Sequence, residues 1–87
     1  MTWRVVYARQ ARTDAKHLVG AGLRTHVEAL LELIAGDPLA SPPRFERLVG
    51  DLAGAYARRI NIHHRLVYQV LEAEHVVKVL RMWTHYE

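Results

Sequence analysis

Cysteine is absent from the 87 residues, which excludes a disulfide scaffold, a thiolate metal site and a cysteine nucleophile. That suits a reducing compartment. No apolar run approaches the ~20 residues of a membrane span, and Met1 to Tyr7 lacks the apolar centre and small-residue cleavage site of a signal peptide. The expectation is a soluble, unexported, cytoplasmic protein with no membrane role. The P-loop, the G-x-G-x-x-G fingerprint and the G-x-S-x-G elbow are all missing, so nucleotide hydrolysis and Ser-His-Asp acyl transfer have no support. Six histidines occur without a His-x-x-x-His pair, and the adjacent His63 and His64, read as strand residues, point apart. Neither a metal nor a cofactor is expected.

Proline is limited to three residues between positions 38 and 43 and glycine to five, so chain breaks are few and well placed. The apolar share of 51% is enough for a core in one small domain spanning 1–87, and too high for disorder. There is no internal repeat and no low-complexity stretch. Charge leans basic, 12 Lys and Arg against 9 Asp and Glu, and ten of those twelve cations are arginine. The planar guanidinium fork matches phosphate geometry, which favours a polyanionic partner.

Thr2 to Tyr7 reads as a strand, with Trp3, Val5 and Tyr7 on one side at period two. From Ala8 the period becomes helical: Ala8, Ala11, Ala15, Leu18 and Val19 form a stripe, opposed by Arg9, Arg12, Lys16 and His17. Gly20 and Gly22 end that helix. A second helix opens at Leu23, with the stripe Leu23, Val27, Leu30, Leu31 and Ile34, and stops at Gly36 and Pro38. Residues 36–43 form a crossing loop because their prolines remove backbone donors. Extended runs come next over Phe45–Val49, Ala55–Ile62, His64–Leu71 and Val76–Trp83, the last two joined by a short hairpin link at 72–75. The order predicts an α+β fold: a two-helix hairpin on one face of a mainly antiparallel, twisted sheet of four to five strands, the other face open.

Parity along the strands separates Arg58 from Arg59. If Ile60 and Leu66 face the helices, Arg59 and Arg65 look out from the uncovered side, where they can hold an anion. Metal-free RNA cleavage needs a base for the 2′-OH proton, a cation for the phosphorane charge and an acid for the departing 5′ oxygen. Glu46, Arg59, Arg65, His85 and Tyr86 are the residues suited to those tasks. A plainer reading has Glu46 as an exposed carboxylate paired with Arg47 or Arg58. His17, His26 and His75 are expected to face solvent, and Trp3, Tyr56 and Trp83 to serve the core.

The segments Phe45-Glu46-Arg47-Leu48, Leu52 to Ile60, His64-Arg65-Leu66-Val67-Tyr68 and the end His85-Tyr86 resemble the RelE superfamily of bacterial toxins, within it the YoeB/Txe branch. The likeness spans nearly the whole chain and is densest from Gly54 to Tyr68. It implies a microbial-ribonuclease-like fold and an endoribonuclease toxin that cleaves mRNA in the ribosomal A site without a metal. The partners it implies are mRNA, ribosomal RNA, a YefM/Axe-like antitoxin and, in some members, a second copy. Carried over by residue, Glu46 becomes the general base, Arg65 steadies the phosphorane and His85 is the general acid. Tyr86 then orients or stacks on the base, and Arg59 holds phosphate. Two other readings stay open at this point: a gyrase-poisoning toxin of the same fold, and an inactive corepressor that only binds its antitoxin.

Overall fold

The computed structural model describes residues 2–42, 44–49 and 54–82. Its elements run β1 (Arg4–Tyr7), α1 (Arg9–Gly20), α2 (Arg24–Gly36), β2 (Phe45–Arg47), β3 (Ala55–Arg59), β4 (Arg65–Leu71) and β5 (Val76–Arg81). The five strands form one sheet in the order β1-β5-β4-β3-β2. β1 runs parallel to β5, while the other three pairings are antiparallel. Both helices therefore lie in the connection between the two edge strands and pack on one face, as the alternation of patterns predicts. Among the described residues no helix is long and apolar enough to cross a membrane.

The main core lies between helices and sheet. Leu18, Val27, Leu30 and Ile34 pack with Ile60, Leu66, Tyr68, Val77 and Val79, and Trp3, Val5 and Tyr56 close its margin. The second helix presents the stripe its 3.6-residue period predicts. The first is rotated: Val19 is 56% exposed, whereas Asp14 is only 2% exposed. Ala11, Asp14 and Leu18 make the buried line on α1, so a carboxylate occupies a place that hydrophobicity alone assigns to an apolar side chain. On the opposite face Ala55, Ala57 and Val67 form a smaller cluster bordered by Leu48 and Leu80. That face is thus shallow and partly apolar rather than bare.

The ladder is interrupted sooner than the extended runs suggest. Asn61 Oδ1 accepts from the amides of His63 (2.9 Å) and His64 (2.8 Å), and Ile60 N–H donates to His64 O at 2.8 Å. These bonds close a turn over 60–64, so His63 and His64 sit in a turn instead of a strand. The hairpin link at 72–75 is a turn as expected, but His75 does not face solvent. Its ring stacks on Trp3 at 4.0 Å, with backbone at φ +56°.

Arg58 supplies the other buried charge, 1% exposed. Its Nε donates to Tyr68 Oη at 2.9 Å, and its Nη2 to the carbonyls of Pro38 (3.0 Å) and Ala40 (2.7 Å). Tyr68 Oη–H donates in turn to Pro38 O at 2.6 Å, and the guanidinium carbon lies 4.9 Å from the Phe45 ring centre. The proline-bearing loop thus satisfies its carbonyls through a cation on β3, because it has too few donors of its own.

Burial pushes the Tyr68 phenol above its ordinary 10.0, with the Arg58 hydrogen bond and charge pulling partly back. Because the folded value is the higher one, this stability is fully present below pH ~10 and is lost as pH rises through the folded value. Burial raises Tyr7 as well. Thermal melts across pH 8 to 12 should therefore show an alkaline loss of Tm that is shallower in Tyr68→Phe, whose residual slope reflects Tyr7. An identical slope in both proteins would contradict the assignment.

Candidate active site

Three short strands assemble the site. Across β2, β3 and β4 the register pairs Glu46 with Ala57 and Ala57 with Val67, while the next row pairs Arg59 with Arg65. Alternation then puts Glu46, Arg59 and Arg65 on the face away from the helices. The parity reading of the sequence is what the structure shows, and Arg58 lies on the helix side. Small Ala57, buried at the centre of this row, leaves a floor between the longer side chains. Gly54 at φ +90° makes the turn into β3, a conformation that a side chain strains.

Glu46 Oε1 lies 3.0 Å from Arg65 Nη1. Its partner is therefore neither Arg47 nor Arg58, the two offered by the plainer reading. Arg58 is committed to the loop carbonyls, and the cross-strand rows bring Arg65 within reach instead. The pair is unequal in exposure, with the Arg65 side chain at 22% and Glu46 at 55%. The acid is open to an incoming group while the guanidinium is held.

Around them is a cleft of about 340 Å³ lined by Arg44, Glu46, Ala57, Arg59 and Arg65. Arg44 is not among the residues that sequence reasoning selects. Its signal is available, since position 44 shares the parity of 46 and falls on the same face. Three guanidiniums around one carboxylate leave a net charge of +2, suited to a phosphodiester and its more highly charged transition state. His85 and Tyr86 lie outside the described residues.

A groove of about 420 Å³ on the helix side is larger, lined by Tyr7, Leu18, Val27, Leu31 and Met82 among others. Its walls are mostly apolar, and its charged residues, Arg12, Arg24 and Glu28, are helix side chains of which Arg24 and Glu28 pair with each other at 2.8 Å. Among the described residues no three His, Cys, Asp or Glu side chains gather as metal ligands would.

A helical layer on one side and a carboxylate held among arginines on the other define a small α+β protein with a basic cleft. The chain belongs to the YoeB-like toxins of bacterial type II toxin-antitoxin systems, whose family profile matches residues 7–86. It is 34% identical to a Toxin YoeB of Streptomyces coelicolor over 71 residues, 82% of this chain and 77% of that one. With a Toxin YoeB of Synechocystis sp. it shares 34% over 65 residues, 75% and 73% of the two chains. Among solved structures, a YoeB/ParE toxin from Agrobacterium tumefaciens superposes with a TM-score of 0.85 at 27% identity, covering 95% of this chain and 99% of that one. The toxin in a YoeB-YefM complex from Staphylococcus aureus gives 0.80 at 29%, covering 99% and 100%. The protein is thus a type II toxin of this family.

Proposed function

We propose that this toxin is a metal-independent endoribonuclease that cuts mRNA in the A site of the translating ribosome and so inhibits translation. The observation that carries the reading is the contact of Glu46 with Arg65, opposite Arg59, in one basic cleft. A carboxylate this exposed accepts the 2′-OH proton, and the freed O2′ attacks the adjacent phosphorus. Arg65 and Arg59 donate to the non-bridging oxygens as charge builds on the phosphorane. His85 then gives its proton to O5′ as the P–O5′ bond breaks, leaving a 2′,3′-cyclic phosphate, open to hydrolysis to a 3′-phosphate, and a 5′-OH. Tyr86 orients or stacks on the flanking base.

The exposed basic side of α1, with Arg9, Arg12 and Lys16, adds attraction to ribosomal RNA. Solved relatives include a YoeB-YefM complex and a YoeB dimer from Staphylococcus aureus. By that likeness this toxin is held by a YefM-like antitoxin and can pair with a second copy.

The test is to map transcript 5′ ends shortly after induction. Cuts at a fixed codon position throughout coding regions, bearing 5′-OH, are expected. 5′-phosphate ends, or cuts indifferent to reading frame, would sink the reading. So would toxicity that survives Glu46→Gln combined with His85→Ala.

A further inference from the structure

The cleft holds one cation more than the proposed chemistry uses. Arg59 pairs with Arg65 across β3 and β4, and Phe45 pairs with Arg58 across β2 and β3. Carrying that antiparallel register one residue back sets Arg44 opposite Arg59, so Arg44, Arg59 and Arg65 form a row over three neighbouring strands. With strands about 4.8 Å apart, the row measures about 10 Å between its outer backbones. All three arginines line the cleft, and among the described residues Glu46 is the one carboxylate there. Its contact at 3.0 Å is with Arg65, the end of the row remote from Arg44.

Such a row works against the fold. Like charges directly opposite on adjacent strands are destabilising, and one carboxylate does not serve three guanidiniums spread over that length. Arg44 is exposed, so packing does not call for it either. A ligand that carries negative charge at intervals accounts for the row, as a polynucleotide strand does and a single phosphate does not.

Resting on the nuclease reading above, we propose that Arg44 binds a second phosphate of the RNA, the one on the 5′ side of the nucleotide whose 2′-OH attacks. In that reading Arg65 and Arg59 serve the scissile group, so Arg44, at the β2 end of the row, meets the next phosphate along the strand. Glu46 sets the direction. It shares β2 with Arg44 and takes the proton from O2′, which puts the attacking ribose on that side of the scissile phosphorus. The phosphate beyond this ribose is the 5′ one. Two residues of strand separate positions 44 and 46 by about 7 Å, roughly one nucleotide of extended backbone. Arg44 therefore holds the strand and fixes its polarity in the cleft, apart from the bond that breaks.

The experiment uses ribosomes programmed with a synthetic mRNA whose attacking nucleotide is 2′-deoxy, so that toxin binding is read without cleavage. Arg44→Ala should raise the dissociation constant about 10-fold. It should also flatten the slope of log affinity against log salt by about 0.7, the value of one phosphate contact on a single strand. A neutral methylphosphonate in place of the 5′-neighbouring phosphate should weaken the native toxin to a similar degree, but Arg44→Ala by less than about 2-fold. On the 3′ side the same replacement should affect both proteins alike. Arg44→Lys should keep part of the affinity, because a point charge still meets a phosphate. Tm in Arg44→Ala should stay or rise slightly, as a like charge leaves the row.

Full affinity in Arg44→Ala would overturn the assignment, as would losses that simply multiply or a coupling to the 3′ phosphate instead. A Tm that falls along with the affinity would give Arg44 to the fold. Failure of the nuclease reading looks different: on an all-ribose message the native toxin would leave the mRNA whole, or Glu46→Gln would cut as fast as the native toxin, whatever stands at position 44.

Discussion

Arg65→Ala is expected to lower the single-turnover cleavage rate by at least ~10²- to 10³-fold, the loss typical of one donor to a transition-state oxyanion, while leaving the fold intact. The two effects separate because the pair with Glu46 lies in a cleft open to water. Such a pair adds less than ~1 kcal/mol to stability, so Tm should move by only a few degrees. The catalytic loss has two sources. The phosphorane forfeits a guanidinium, and Glu46 loses the contact at 3.0 Å that sets the direction of its carboxylate. Since both act on one transition state, Glu46→Gln in the Arg65→Ala background should cost much less than it does alone. Arg65→Lys restores charge without the fork and should recover only part of the rate. A folded Arg65→Ala protein cleaving at the native rate would remove the cleft from the mechanism.

Much of this site is legible because strands are periodic. Parity alone separates Arg58 from Arg59 and puts Arg59 with Arg65, and the cross-strand pairing of the two arginines realises that placement. The convergence of Glu46 with them is not legible from composition, because it depends on the register of β2 against β3, which no local pattern sets. Resemblance names the residue, and the register shows how it arrives. Arg44 escapes selection although the same parity reaches it, because a position just after two prolines reads as turn before it reads as face.

The buried charges are the harder part. Asp14 stands three residues after Ala11 and four before Leu18, squarely on the apolar line of α1, but a hydrophobicity stripe passes over a carboxylate. Such a stripe runs instead through Val19, which points to solvent. Arg58 looks like half of a solvated doublet. Its burial comes from a need outside its own strand, the carbonyls of the loop at Pro38 and Ala40. Polar residues on an apolar face are where tertiary context overrides local pattern, and here both prove to be fasteners between chain segments remote in sequence, Asp14 through Arg81 and the Met82 amide.

Arg58→Met should therefore be the most destabilising of the substitutions considered, although the new side chain is apolar and similar in length. It leaves the Ala40 carbonyl and the Tyr68 hydroxyl oxygen without the donor Arg58 supplies, and the Pro38 carbonyl with one donor instead of two. An unmet buried polar group costs about 1–3 kcal/mol, and Tyr68 still serves Pro38 through its own proton. By that scale the loss should total about 3–5 kcal/mol. A chain of this size has roughly 4 to 13 kcal/mol in all, so the variant stands close to unfolding at 37 °C. Urea titration should show a much lower midpoint with an unchanged slope, the mark of lost stability without a change in exposed surface. Arg58→Lys should recover little, because one ammonium cannot reproduce the geometry of the fork. Cleavage should fall in proportion to the folded fraction at 37 °C and recover on cooling to 20 °C. In Arg65→Ala the loss should persist at both temperatures. A midpoint within experimental error of the native protein would show that the loop carbonyls find other donors, and that Arg58 does not hold the crossing to the sheet.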